Sequence, residues 1–160
     1  MIRDEVKETV KLKNMVEHFG LKVLNKGWDY ETALLGIKDV TRPGLQFVGF
    51  YDYFDTRRLQ VIGMAETKML EQMTPSQRTK SFDTFFSYDI PALVISRDLD
   101  CFPECMEMAQ KHQRTLLETS DTTVVFTSKV IDYLNHELAS TITRHGVLLD
   151  VNGEGVLIVG

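Results

Sequence analysis

Few side chains in this 160-residue sequence could do chemistry. His145 is the first candidate. It precedes Gly146 and leads an apolar segment that contains Asp150. An imidazole titrates near neutral pH, so there it could trade a proton or orient a phosphate. The plainer alternative is a strand-edge histidine bonded to a backbone carbonyl. The second candidate is Gly160, which ends the apolar run Gly155-Val156-Leu157-Ile158-Val159-Gly160. A phosphate-binding loop begins in this way: a strand, then G-x-x-x-x-G-K-[ST], then a helix, with the loop amides and the lysine holding the phosphates. A strand and one glycine are not yet such a loop.

The remaining candidates have bland readings beside the chemical ones. His18 and His112 fall at the ends of expected helices, where a histidine is often a favourable dipole partner. His136, beside Glu137 on an expected helix, reads as solvated. Cys101 and Cys105 lack the nearby His or Cys of a zinc site, and read as two small apolar residues at the start of a helix. No metal site is expected. The aromatic run Phe50 to Phe54, followed by Arg57 and Arg58, is either an interface hot spot or a core-packing corner. Arg42, in a Pro-Gly turn, is either an anion contact or solvated.

Composition narrows the function classes. The hydrophobic fraction is 43% and the charged fraction 26%, ordinary for a globular chain. No run approaches the roughly 18 apolar residues of a membrane-spanning helix. The first residues, Met1-Ile2-Arg3-Asp4-Glu5, are charged and do not read as a secretory signal. Two cysteines make a disulfide-stapled chain unexpected, so the cytoplasm is the default compartment. Net charge is −5: residues 1–80 carry 13 basic and 11 acidic side chains, residues 81–160 carry 5 and 12. That balance leaves no basic footprint for a phosphate backbone, and nucleic acid is not an expected partner.

The elements that must position these residues can be read from periodicity. Leu12, Met15, Val16 and Phe19, extended upstream by Val6 and Val10, predict a helix, closed by Gly20. A strand is expected over about 21–24, before the Asn25-Lys26-Gly27 turn. Thr41-Arg42-Pro43-Gly44 is a turn, and Leu45 to Gly49 is read as a strand. Leu59 to Gly63 is a strand ending in glycine. Residues 64–88 are two helices, the second capped by Thr74 with Pro75 in its first turn. Pro91 to Ile95 is a buried strand, Pro103 opens a helix, and Thr115-Leu116-Leu117 is a strand. A helix over 121–138 carries the stripe Phe126, Val130, Tyr133, Leu134 and Leu138. Beyond a boundary near 139, strands over 141–151 and 155–159 are expected to flank the Asn152-Gly153 hairpin signal. Alternating strands and helices predict an α/β domain with a largely parallel sheet, followed by a hairpin.

Several of these segments together resemble one family, the bacterial HPr kinase/phosphorylases. They are Arg42-Pro43-Gly44-Leu45, Gly49 through Phe54, Arg58 through Gly63, Ser87-Tyr88-Asp89-Ile90-Pro91, Tyr133-Leu134, His145 through Val151, and Gly153 through Gly160. They occur in order over nearly the whole chain. Thr41 and Asn152 depart from the family's usual residues, each locally.

The resemblance implies a parent about twice this length that uses ATP and Mg²⁺ to phosphorylate a serine of HPr, the phosphocarrier of the sugar phosphotransferase system. It implies removal of that phosphate by phosphorolysis, in carbon catabolite control, and a hexamer held by catalytic domains. Residues 1–139 would be the N-terminal α/β regulatory domain, similar to the N-terminal domain of muramyl-peptide ligases. Residues 140–160 would be the truncated start of the P-loop catalytic domain. His145 matches a catalytic histidine and Gly160 the first P-loop glycine. The P-loop lysine, the Mg²⁺-binding hydroxyl and the acidic base would all lie past Gly160. This chain alone is therefore expected to be inactive, with no cofactor bound. Its apolar Val147, Leu149, Val151, Leu157 and Val159 are expected to drive self-association. The alternatives are a freestanding ligand-sensing or protein-interaction α/β domain, and a docking module that grips HPr.

Overall fold

A computed structural model describes residues 9–149, with side chains through residue 138. Its elements are β1 (Val10–Lys11), α1 (Leu12–Phe19), β2 (Lys22–Asn25), β3 (Leu34–Leu35), β4 (Val40–Thr41), α2 (Gly44–Phe47), β5 (Leu59–Ile62), α3 (Met64–Glu71), α4 (Pro75–Phe86), β6 (Leu93–Ile95), α5 (Pro103–Lys111), β7 (Leu116–Glu118) and α6 (Thr123–Leu149). The main sheet has the order β2-β7-β6-β5-β4. Its last four members run parallel, and β2 pairs antiparallel with β7 at the edge. β1 and β3 form a separate antiparallel ribbon. The expected α/β domain with a mostly parallel sheet flanked by helices is the observed one.

Topology decides which helix covers which face. From β4 to β7 the chain steps across the sheet in one direction. Crossovers of one hand therefore put α2, α3, α4 and α5 on a single face. Strand alternation supplies that face with Ile62, Leu93, Ile95 and Leu116, packed under Phe47, Phe82, Phe85 and Phe86. The opposite face presents Leu59, Val61, Val94 and Leu117 to Met15 and Val16 of α1 and to Phe126, Val130 and Leu134 of α6. Short continuous apolar strands such as Leu93–Ile95 are thus buried on both sides.

Local signals set the helix ends. Gly20 takes the left-handed conformation (φ 63°) that closes α1, its amide bonding to the Glu17 carbonyl. Thr74 Oγ1 accepts from the Gln77 amide, and Gln77 Oε1 accepts from the Thr74 amide, a reciprocal cap for α4.

Three expectations change. Val10 lies in β1, and α1 starts only at Leu12. Leu45 to Gly49 is not a strand: Gly44–Phe47 is the short helix α2, and Gly49 has φ 100°. An apolar run that short has no period that separates strand from helix. The strand expected over 141–151 is replaced, as far as Leu149, by α6. β-branched Thr141, Ile142, Thr143 and Val147 favour a strand locally. No proline or cap interrupts the ladder after Leu138, however, and propagating a helix costs little once it is nucleated. The hairpin turn and the second strand, over 155–159, lie outside the described residues, as do the apolar side chains expected to drive self-association.

Candidate functional site

In open α/β sheets, ligands are bound outside the carboxyl ends of the parallel strands, where loops and helix N-termini meet. Four such ends converge here. Arg42 follows β4, Gly63 follows β5, Ser96 follows β6, and Thr123 opens α6 after β7. Ser96 Oγ donates to the Ile62 carbonyl at 2.9 Å and lies 2.6 Å from Thr123 Oγ1. Both hydroxyls are thereby committed to joining the three loops. Gly63 is required by space: its φ is an ordinary −135°, but an added Cβ would lie 2.1 Å from Thr123 Oγ1 and 3.2 Å from Ser96 Oγ.

Glu66 ties the edge together from the first turn of α3. Its Oε1 accepts from the Gly63 amide at 2.8 Å and from Arg42 Nη2, also at 2.8 Å. A carboxylate near a helix N-terminus is favourable, and this one is also paired. The Glu66 side chain is 9% exposed, whereas that of Arg42 is 43% exposed. The guanidinium is therefore held on one side and open on the other. The structure joins the two readings of Arg42: it is an ion-pair partner with a free face.

That free face borders an open groove of about 410 Å³, lined by Arg42, Thr123, Thr127, Ser128, Ile131 and Asp132, among others. Thr127 Oγ1 is buried and has no hydrogen-bond partner among the described residues. One cation, several hydroxyls and an apolar wall can hold a small polar ligand. Asp132 on the far wall works against a highly charged anion. The adjoining loop is strained: Arg97 (φ 62°) and Asp98 (φ 52°) are both left-handed. Their amides bond to the Asp121 and Thr119 carbonyls, which ties the β6 loop to the β7 loop.

The aromatic run divides. Tyr51 stacks on Tyr88 with ring centroids 4.6 Å apart, and Phe54 leans on Phe85 and Tyr88. Burial pushes the Tyr51 hydroxyl up from its ordinary pKa, and Tyr51 Oη finds no hydrogen-bond partner among the described residues. Phe50 and Tyr53 point outward, Tyr53 being 102% exposed. Arg57 and Arg58 are held by Asp55, and Arg58 also by Asp39.

The structure places His18, His112 and His136 outside the lining of the Arg42 groove. His18 packs in the last turn of α1 against Tyr133, with ring centroids 4.7 Å apart. His112 caps α5 and bonds to Asp83 at 2.7 Å; this contact and Lys111 hold the Asp83 carboxyl below its usual range. His136 is exposed on α6. His145 falls within α6, but its side chain is outside the described residues, as is Gly160 altogether. Among the described residues, no group of three or more His, Cys, Asp or Glu could hold a metal, and no helix is long and apolar enough to cross a membrane. Sequence reasoning missed Glu66, Ser96 and Thr123. The only local hint was Gly63 closing an apolar strand.

A family model described as HPr serine kinase N terminus matches residues 10–134. The HPr kinase/phosphorylase of Clostridium tetani is 46% identical over 151 residues, covering 94% of this chain and 49% of that protein. The HPr kinase/phosphorylase of Caldanaerobacter subterraneus subsp. tengcongensis is 40% identical over 153 residues, covering 96% and 50%. The chain spans about half the length of these curated relatives. Among solved structures, the CBS and DRTGG domains of the regulatory region of Clostridium perfringens pyrophosphatase, complexed with the activator diadenosine tetraphosphate, align with a TM-score of 0.50. That alignment covers 81% of this chain and 48% of the other, at 14% identity, and so speaks to the fold alone.

Proposed function

The chain belongs to the HPr serine kinase N-terminal family, and on that footing we propose that it is the N-terminal part of a cytoplasmic bacterial enzyme that phosphorylates a serine of HPr with ATP and removes that phosphate by phosphorolysis. The observation that carries this reading is a match along nearly the whole chain to about half the length of relatives bearing that name. In this reading residues 1–139 are a regulatory α/β domain and residues 140–160 begin the catalytic domain. His145 trades the proton of the phosphoryl transfer, and Gly160 opens the loop that cradles the phosphates. ATP and Mg²⁺ belong to the whole enzyme, as does a hexameric assembly. Positioning and charge stabilisation by a P-loop lysine and a metal carry most of such a reaction. The 160 residues contain no G-x-x-x-x-G-K-[ST] run, so on their own they transfer no phosphate.

The test is to join this chain to the catalytic half of the Clostridium tetani relative and follow labelling of HPr by radiolabelled ATP and Mg²⁺. The fusion should label a serine of HPr, and the chain alone should not. Labelling by the chain alone, or a silent fusion beside an active parent relative, would overturn the proposal.

The half-open Arg42 groove supports a second reading, a ligand-sensing domain. Thermal unfolding in the presence of small anionic ligands separates the two. This reading gains if a ligand raises the midpoint of the wild-type chain but not of Arg42→Ala, and it falls if none does.

A further inference from the structure

We propose that Cys101 and Cys105 form a thiol–disulfide switch at the start of α5, closed by a peroxide and reopened by a dithiol reductant. The two residues are four positions apart in the sequence and pack in the same apolar cluster. Cys101 lies just before Phe102, the N-cap of α5, and Cys105 is in the first turn. Pro103 between them occupies the first turn of the helix, where its fixed φ suits the entry of the chain.

Their environments are unequal in the way a reacting pair needs. Cys105 is 1% exposed and packs in the phenylalanine-rich core with Met108 and Ala109. Cys101 is half-buried at the margin of that core. Its Sγ lies 3.4 Å from the Phe102 carbonyl. The neighbouring Cys105 thiol holds the Cys101 thiol below its ordinary range; burial and the Glu118 carboxylate oppose this, and the Met106 amide adds to it. Burial pushes the Cys105 thiol well up. Cys101 is therefore the accessible nucleophile and Cys105 the protected partner that resolves it.

The chemistry balances with hydrogen peroxide as the oxidant. The Cys101 thiolate attacks one peroxide oxygen and the O–O bond breaks. The products are Cys101 sulfenic acid and hydroxide, which takes up a proton to become water. The Cys105 sulfur then attacks the Cys101 sulfur. The S–O bond breaks, and the departing oxygen, with the Cys105 proton, leaves as a second water. The peroxide is reduced by two electrons and the two thiols are oxidised to one disulfide.

The position has a structural consequence. Glu104, between the two cysteines, bonds to Arg78 Nε at 2.9 Å, and the Arg78 guanidinium lies over the Phe102 ring. Arg78 also donates to the Leu70 and Met73 carbonyls. A disulfide here would fasten the chain before α5 to the turn through which α3, α4 and α5 are held together.

The test uses the full chain. It is treated with hydrogen peroxide, quenched with N-ethylmaleimide and digested with trypsin. Both cysteines fall in the peptide spanning residues 98–111. An internal disulfide lowers its mass by about 2 Da and blocks both alkylations, whereas oxidation of Met106 or Met108 only adds oxygen. The expected result is that loss, reversed by dithiothreitol and absent in Cys101→Ser. In Cys105→Ala, dimedone should trap the sulfenic acid on Cys101. In the untreated fold, iodoacetamide should modify Cys101 roughly tenfold or more faster than Cys105. The proposal is overturned if both thiols remain alkylatable after peroxide, if Cys101 passes to sulfinic acid without the disulfide, or if the bond forms between two chains.

Discussion

The carboxyl edge of the sheet and the phenylalanine core beneath α2–α5 are built on opposite principles. At the edge, Ser96 bonds Thr123 and Glu66 bonds Arg42, and the loops are fixed by a few polar contacts of definite length. In the core, Phe47, Phe82, Phe85 and Phe86 meet at centroid distances of 5.0–6.1 Å, in edge-on and stacked geometries. The core contributes area, which tolerates small adjustments; the edge contributes fit, which does not. The difference teaches where the molecule can present a site. The edge leaves a cation half free beside a groove while its supporting groups stay locked.

Four substitutions press on this comparison. Phe85→Ala removes a fully buried ring and should cost about 3–5 kcal/mol in chemical denaturation, the largest loss of the set. Glu104→Gln weakens a charged contact to Arg78 in which both side chains are 14% exposed, and should cost about 1–3 kcal/mol at neutral pH. Arg78 holds the Glu104 carboxyl below its ordinary value of 4.5. A depressed carboxylate contributes stability that is complete above that value and lost as pH falls through the folded one. Denaturation midpoints measured from pH 6 downward should therefore fall less steeply below about pH 4.5 in Glu104→Gln than in the wild type.

At the edge, Glu66→Ala loses the bond from the Gly63 amide and the partner of Arg42, and should cost about 1–2 kcal/mol. The smallest effect has the opposite sign. Arg97→Gly relieves a left-handed non-glycine residue and should stabilise by up to about 1 kcal/mol, read as a raised thermal midpoint. A neutral Phe85→Ala, or a neutral Glu66→Ala, would break the assignment of area to the core and fit to the edge.

Much of the core was legible from spacing. The stripes Leu12-Met15-Val16 and Phe126-Val130-Leu134 are periodic, and each packs as its period requires. Thr74 and Pro75 announce α4 locally. The edge was scarcely legible, because its partners are far apart in the chain. Arg42 and Glu66 are separated by 24 residues and Ser96 and Thr123 by 27, and no local rule pairs them. Gly63 was visible as a strand-ending glycine, but its reason is a threonine brought in from another loop. α2 is too short for its apolar residues to show a period, and in the extension of α6 the β-branched residues favour a strand locally while helix propagation decides otherwise. The cysteines looked like two equivalent small apolar residues; only the fold makes one buried and the other accessible.

The loops after β5, β6 and β7 are one interlocked unit whose tolerance is set by the space at Gly63. A double-mutant cycle between Gly63→Ala and Thr123→Ala, read by denaturant unfolding, measures that coupling. Gly63→Ala alone should cost about 2–3 kcal/mol, because the new methyl overlaps Thr123 Oγ1. Removing that hydroxyl should restore more than half of the loss, so that the double variant is more stable than the sum of the single effects. Strict additivity of the two substitutions, or a Gly63→Ala variant as stable as the wild type, would show that the loops are not interlocked at Gly63.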